Sequence, residues 1–444
     1  MIELMTDDPV KLAVAGGATA VWALMSAFTL LGGREKRLAA EACDVLVVSA
    51  SQTGQAEELA RNSEKGLNAG GQKVRYLTAD KVSADDLQAA KRILMVVSTT
   101  GVGDAPDDGR AFEGRLLGTK PDLSRQGFAV LALGERKYED FCAFGHRVYD
   151  WLKSCGATAL KPCLEVDDLD PAALKLWANY LKEWGGESVS GDEGFRDTVL
   201  KARRRLNPES DAAGLYQVEL SLALMVDGES ESWQAGDLAQ IRTADGHRRD
   251  YSIASLPEEG ALRLYVREVI KDDGSRGAGS GLLTHSLSEG QAVPLRLKSH
   301  KNFHAPAGNG PVLLIAAGSG LAGLRPHLIE LNRKGRACWL IYGERYPEAD
   351  GALPREMTDW QSQGQLSRLD LAFSRPENRQ GQYVQDVLRA KADEVQAFRQ
   401  DDTAVMVCGG LDMGRAVEEA LKDILGAEWL EAALNDGRYR RDLY

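Results

Sequence analysis

The sequence predicts an α/β chain of several domains behind a single membrane-spanning helix. Three observations carry that reading. Short apolar runs alternate with helical stretches over residues 43–187, the pattern of a doubly wound parallel sheet. Period-two runs separated by turn signals fill 195–309, the pattern of an antiparallel β-barrel. A second strand–loop–helix alternation occupies 310–444. At roughly 150 residues per domain, 444 residues accommodate about three. A 43% hydrophobic and 27% charged composition excludes wholesale disorder. The formal net charge of −12 supplies no basic footprint for nucleic acid. The six cysteines form no C-x-x-C pair, so a zinc ribbon, an iron–sulfur cluster and a disulfide framework are all disfavoured. His300 and His304 lie four apart in a loop bounded by Pro306, and read as solvated side chains rather than metal ligands.

Residues 1–42 come first. The run 12–33 carries no charge, and its 22 residues are enough to cross a ~30 Å hydrocarbon core. Glu3, Asp7 and Asp8 precede it, whereas a cleaved signal peptide begins with a basic region. Arg34, Lys36 and Arg37 follow it, which predicts an outer N-terminus and cytoplasmic domains. The span holds no ionisable residue, so it reads as a tether.

In 43–187 the apolar run 45–48 leads into Ser51-Gln52-Thr53-Gly54-Gln55 and then a helix. Hydroxyls and backbone N–H groups at such a helix start hold a phosphate. The loop lacks the lysine of a nucleoside-triphosphate site, which suggests the phosphate of a flavin mononucleotide. Strands at 93–97 and 128–133 end in two further Gly-rich loops. Ligands bind outside the carboxyl ends of parallel strands, so the three loops can converge on one ring, with Tyr138 able to stack on its face.

The segments SASQTGQAEELA, STTGVGDAPDD and LGERKYEDFCAFG resemble the three FMN loops of the flavodoxin-like domain of diflavin reductases. The resemblance implies an FMN site made of Ser51, Gln52, Thr53, Gly54, Gln55, Ser98, Thr99, Thr100, Gly101, Gly103, Leu133, Gly134, Tyr138 and Phe141. Thr100 stands where cytochrome P450 reductases carry an aromatic, which would leave one ring face less covered. Asp104, Asp107, Asp108, Glu165, Asp167, Asp168 and Asp170 form an acidic set, read either as a solvated face or as a docking surface for a basic acceptor.

A Gly/Ser/acidic run at 185–194 reads as a flexible linker, with 188–194 outside either domain. Strands are then expected at 216–224, 239–242 and 262–269. Arg249-Asp250-Tyr251-Ser252 carries groups for a flavin dinucleotide: the arginine for the pyrophosphate, the tyrosine to pack on the ring, the serine hydroxyl to reach N5. Gly277-Ala278-Gly279-Ser280-Gly281 supplies a second anion site before a helix. From 311 a strand at 312–316 precedes Gly318-Ser319-Gly320 and a helix at 326–333. Arg375, after the strand 369–373, suits a ribose 2′-phosphate and so favours NADPH over NADH.

RDYSIAS, GAGSG, AAGSGLAGLR, FSR with QYVQ, MVCGG and the terminal RYRRDLY resemble the ferredoxin–NADP reductase-like module of the same diflavin reductases. That resemblance assigns FAD to Arg249, Asp250, Tyr251, Ser252, Gly277, Gly279, Ser280 and Tyr444. It assigns NADPH to Gly318, Ser319, Gly320, Arg325, Ser374, Arg375, Tyr383, Gln385, Cys408 and Gly409. Ser252, Cys408, Asp442 and Tyr444 are implied as the catalytic set, with Tyr444 covering the flavin face that nicotinamide must reach.

There are departures from the family pattern. Gly381 replaces a usual lysine, with Arg379 as a substitute, and Gly323 replaces a usual proline. Only 243–248 separates the strand ending at Arg242 from RDYS, where P450 reductases and sulfite reductase flavoproteins insert a helical connecting domain. The implied path is NADPH to FAD to FMN to a one-electron acceptor. A P450-type haemoprotein is the first expectation for that acceptor, then a ferric chelate or a sulfite reductase partner. A flavin-binding sensor or scaffold without turnover, and a plain NADPH oxidase, are the readings from other classes.

Overall fold

The computed structural model describes residues 41–100, 103–136, 139–187, 194–222, 232–377 and 380–444. Among them no helix is long and apolar enough to cross a membrane, and the charge-free run 12–33 lies outside the described residues.

The first domain is built from β1 (Cys43–Ala50), α1 (Gln55–Ala69), β2 (Val74–Thr78), α2 (Ala84–Ala89), β3 (Ala90–Ser98), α3 (Asp107–Phe112), β4 (Gly127–Gly134), α4 (Ala143–Ser154), β5 (Thr158–Ala159), β6 (Leu164–Asp167) and α5 (Pro171–Glu183). Its strands run parallel in the order β2-β1-β3-β4-β5, with β6 also pairing β4. Both faces of β1, β3 and β4 are buried, which is why these strands read as continuous apolar runs. The chain reverses direction across the sheet between β1 and β3, so the loops after β1, β3 and β4 emerge side by side.

The second domain comprises β7 (Arg196–Arg205), β8 (Leu215–Leu222), β9 (Leu238–Arg242), β10 (Arg248–Ser252), β11 (Leu262–Arg267) and β12 (Ala292–Lys298). They form an antiparallel sheet in the order β10-β9-β12-β7-β8-β11. Ile253 bridges to Leu264, and the Ala254 N–H donates to the Arg263 carbonyl at 2.7 Å. The two ends of the strand path therefore meet, as barrel closure requires. The turn Thr243–His247 joins β9 directly to β10, so no domain is inserted there; the Gly246 N–H donates to the Thr243 carbonyl at 3.0 Å. β11 stops two residues before the expected end, and Val269 and Ile270 lie in the loop beyond it.

The third domain is a parallel sheet of β13 (Val312–Ala317), β14 (Cys338–Glu344), β15 (Arg368–Phe373), β16 (Ala404–Gly409) and β17 (Tyr439–Leu443), in the order β15-β14-β13-β16-β17. Helices α6 (Leu321–Arg333) and α7 (Leu411–Leu425) follow β13 and β16. α6 starts before Pro326, which the sequence reading places at its first turn. Leu321, Ala322 and Leu324 are buried, and that burial holds the added turn despite the missing proline N–H. The expected linker is shorter than ten residues, because Gly186 and Glu187 are fastened to the first domain by hydrogen bonds of 2.8 Å to the Leu181 and Gly66 carbonyls. Residues 188–193 lie outside the described residues.

Candidate functional site

The carboxyl ends of the first sheet, the RDYS strand and the end of the third sheet surround one cavity of about 1780 Å³. Gln52, Thr53, Gln55, Ser98, Thr99, Thr100, Leu133 and Gly134 line it from the first domain. Gly54 takes a left-handed φ of 76° at the start of α1, and the Ala56 N–H donates to Ser51 Oγ at 3.1 Å. The tight turn therefore needs glycine and leaves loop N–H groups at a helix N-terminus. Gly134 is held by close approach, since a Cβ there would meet Cys142 N at 2.9 Å. Gly103 has a φ of 85°, and Phe141 lies under the Arg136 guanidinium, 4.4 Å from its centroid. Gly101 and Tyr138, the expected stacking residue, lie outside the described residues.

Asp108 accepts the Ser51 N–H at 2.9 Å, and burial pushes its carboxyl up to about 8. Most of the acidic set is paired within the chain. Asp168 pairs with Arg249, and Asp107 with Arg441. Glu165 pairs with Arg136 and His146, and Asp167 accepts the Arg136 N–H at 2.9 Å.

In the second domain Arg249, Tyr251, Ser252, Gly277, Gly279 and Ser280 all line the cavity. A Cβ at Gly279 would lie 2.6 Å from Tyr251 Oη and 2.7 Å from Arg249 Cγ. The GAGSG turn and the RDYS strand are thus in van der Waals contact, a cradle that only glycine permits. Asp250 lines the cavity, but its carboxylate is engaged by Lys298 at 2.9 Å, Gln240 at 2.7 Å and Gln55 at 3.2 Å, so it also joins the two domains. A free carboxylate beside a pyrophosphate would repel it, and this pairing removes the conflict.

The residues implied for catalysis meet at the end of the third sheet. β16 and β17 run in register, so Cys408 sits beside Asp442. Asp442 Oδ2 accepts the Ser252 hydroxyl at 2.7 Å and lies 3.6 Å from Cys408 Sγ. Burial, then the Asp442 charge, holds the Cys408 thiol well above its usual range, so it stays protonated and donates. The absence of the usual proline at Gly323 has a local reason: a Cβ there would come within 2.8 Å of Cys408 Sγ. The Tyr444 N–H donates to the Gly409 carbonyl at 3.1 Å, and its hydroxyl meets Ser319 Oγ at 2.9 Å. Tyr444 therefore lines the cavity beside Ser319, with 48% of the residue exposed.

Gly318 has a φ of 57°, and a Cβ at Gly320 would lie 2.2 Å from the Cys408 carbonyl, which marks another close-packed glycine turn. Arg325 does not fit the role implied for it. Its guanidinium is buried, donating to the Ala254 carbonyl at 2.9 Å and pairing with Glu259 and Glu356, so it ties α6 to the second domain. Ser374, Arg375, Tyr383 and Gln385 gather beyond β15. The Arg375 N–H donates to the Arg345 carbonyl at 2.8 Å, which fixes the backbone after β15 against the segment after β14. Gln385 Oε1 is buried without a partner, an orphan that a ligand donor would satisfy. Gly381 follows from space, since a Cβ there would meet the Ser374 carbonyl at 2.1 Å; Arg379 lies outside the described residues.

His300 is not solvated. It is buried, with Nε2 3.3 Å from the Gln52 carbonyl of the first domain, while His304 Nε2 pairs with Asp237 at 2.6 Å. Arg296 and Arg441 also cross between domains, to Glu58 and Asp107, and sequence reading singled out neither of them. No group of described residues has the arrangement of a metal site.

Residues 47–177 match the flavodoxin family model, and 314–419 match the oxidoreductase NAD-binding domain model. The chain is similar to the sulfite reductase [NADPH] flavoprotein alpha-component of Bacillus subtilis, 23% identical over 540 positions covering 90% of this chain and 89% of that protein. The same component of Vibrio cholerae is 24% identical over 535 positions (90% and 87%), and that of Klebsiella pneumoniae 25% over 543 (91% and 90%). About 90% of 444 residues spread over 540 positions leaves roughly 140 positions occupied only by the relative. That excess is consistent with the direct β9–β10 turn.

Proposed function

Because the chain is a member of the diflavin reductase family, we propose that it passes electrons from NADPH through FAD and FMN to a separate one-electron acceptor protein. The observation that carries this reading is one cavity lined by both the hydroxyl-rich loops and the Ser252–Asp442 pair, with Cys408 buried against Asp442. When bound, nicotinamide supplies a hydride and the two flavins divide that electron pair into single electrons. The residues do the rest. Asp442 holds the Ser252 hydroxyl and the Cys408 thiol at one point of the cleft. Tyr444 covers the place nicotinamide must take and has to swing aside, which excludes water until it does. Arg375 offers its guanidinium to a 2′-phosphate.

The relatives are named as components of NADPH sulfite reductases, and this supports a sulfite-reducing partner protein ahead of the P450-type haemoprotein. The test is NADPH consumption by the full chain with each acceptor in turn. Faster turnover with the haemoprotein component of a sulfite reductase is expected; a preference for a P450 would reverse the order. A rate equal to that without acceptor would sink the reductase reading. The charge-free run 12–33 supports a membrane tether as a further part of this reading. Retention in the membrane fraction through an alkaline wash is the expected result, and release into the wash would end it.

A further inference from the structure

Arg441 lies one residue before Asp442 on β17, yet its side chain turns away from the hydride corner and into the seam between domains. It is buried between two carboxylates. Nη1 donates to Glu418 of α7 at 2.6 Å, and Nη2 donates to Asp107 at the start of α3. Asp107 is itself bonded twice to Gln52 in the loop after β1. Its Oδ2 accepts Gln52 Nε2 at 2.9 Å, and its N–H donates to Gln52 Oε1 at 3.1 Å. A guanidinium on the last strand of the chain is thus linked through one carboxylate to the loop read as the FMN phosphate cradle.

From this geometry we propose that Arg441 is a positioning residue for the FMN loop, so that FMN is held more tightly when the domains are closed than when they are apart. The inference rests on the function proposed above. The physical reason is charge. With the guanidinium in place, Asp107 is neutralised and fixed, and it fixes Gln52 in turn. Without it, Asp107 loses its cation while Glu418 keeps Lys422 at 2.8 Å, and a partly buried carboxylate is left uncompensated at the seam. That loss loosens the seam and releases the Gln52 loop. By linkage, FMN binding then favours closure by the factor by which closure favours FMN.

The test uses the full chain with FAD retained and FMN removed, titrated with FMN and followed by quenching of FMN fluorescence. Arg441→Met is expected to bind FMN about tenfold more weakly than wild type at low salt. Most of the gap should persist as salt rises from about 50 mM to about 0.5 M, because a guanidinium this buried is screened little. Arg441→Lys, which keeps the charge, should recover part of the loss. Equal affinities in wild type and Arg441→Met would overturn the inference while leaving the proposed function intact. A chain that holds FAD but binds no FMN would overturn both. Should Arg441→Met fail to fold, Arg441→Gln decides instead, since it removes the same charge while keeping a polar group between the two carboxylates, and leaves all three FMN loops untouched. A loss of FMN affinity there supports the role, and an unchanged affinity overturns it.

Discussion

The hydride corner and the FMN cradle are built in opposite ways. Ser252, Cys408 and Asp442 come from the ends of β10, β16 and β17, and their functional atoms are in direct contact. The cradle is three loops, fixed by glycine turns and by hydrogen bonds such as Ser51 N–H to Asp108. Strand ends fix atoms to a few tenths of an ångström, which a hydride needs because it moves only between touching atoms. A cradle that passes single electrons has to bind its cofactor and tolerate relative motion, and loops suffice. The account therefore expects steep penalties at the corner and shallow, condition-dependent ones at the cradle.

The sharpest way to break that contrast is Asp442→Ala. It should slow bleaching of FAD by NADPH about a hundredfold in stopped flow while FMN content is unchanged. A loss of only severalfold would remove the distinction. Next comes Arg375→Ala, expected to raise the KM for NADPH about thirtyfold with little effect on NADH. Equal effects on the two nucleotides would reject the 2′-phosphate assignment. Tyr444→Ala should narrow the NADPH/NADH ratio of kcat/KM about tenfold by opening the mouth of the cleft. An unchanged ratio would remove its gating role.

The smallest effect is on the cradle side, at Asp108. Its folded carboxyl titrates near 8, far above an unfolded value of about 3.9. The folded state therefore binds the proton more tightly. The contribution is full below the unfolded value and is lost as pH climbs toward 8. Asp108→Asn keeps an acceptor for Ser51 N–H without the charge. It should raise the thermal midpoint about 3 °C at pH 8 and hardly at pH 4.5. A pH-independent gain would point to packing instead.

The cradle's loops were legible because their signals are local: a left-handed Gly54, hydroxyls after a buried strand, a helix directly behind. The corner was legible only through resemblance, since Ser252 and Asp442 are 190 residues apart and no spacing pattern joins them. Arg325 shows the cost of reading by resemblance. The family pattern makes it a nucleotide ligand, but Glu259 and Glu356 reach it from distant segments and bury it. The Lys298 partner of Asp250 was invisible for the same reason, lying 48 residues away. His300 stands in a loop that sequence alone leaves in solvent, and the docking of the first domain covers it. Contacts across a domain seam leave no period in the sequence, so Arg441 and Arg296 carried no signal at all.

The central claim is that the cradle and the corner serve one electron path. The most direct test is to release and separate the flavins of the purified full chain, then add NADPH anaerobically to a matched sample. The account predicts FAD and FMN in equal amounts, with absorbance loss from both after NADPH. FAD alone, or an FMN whose absorbance NADPH never touches, would contradict it.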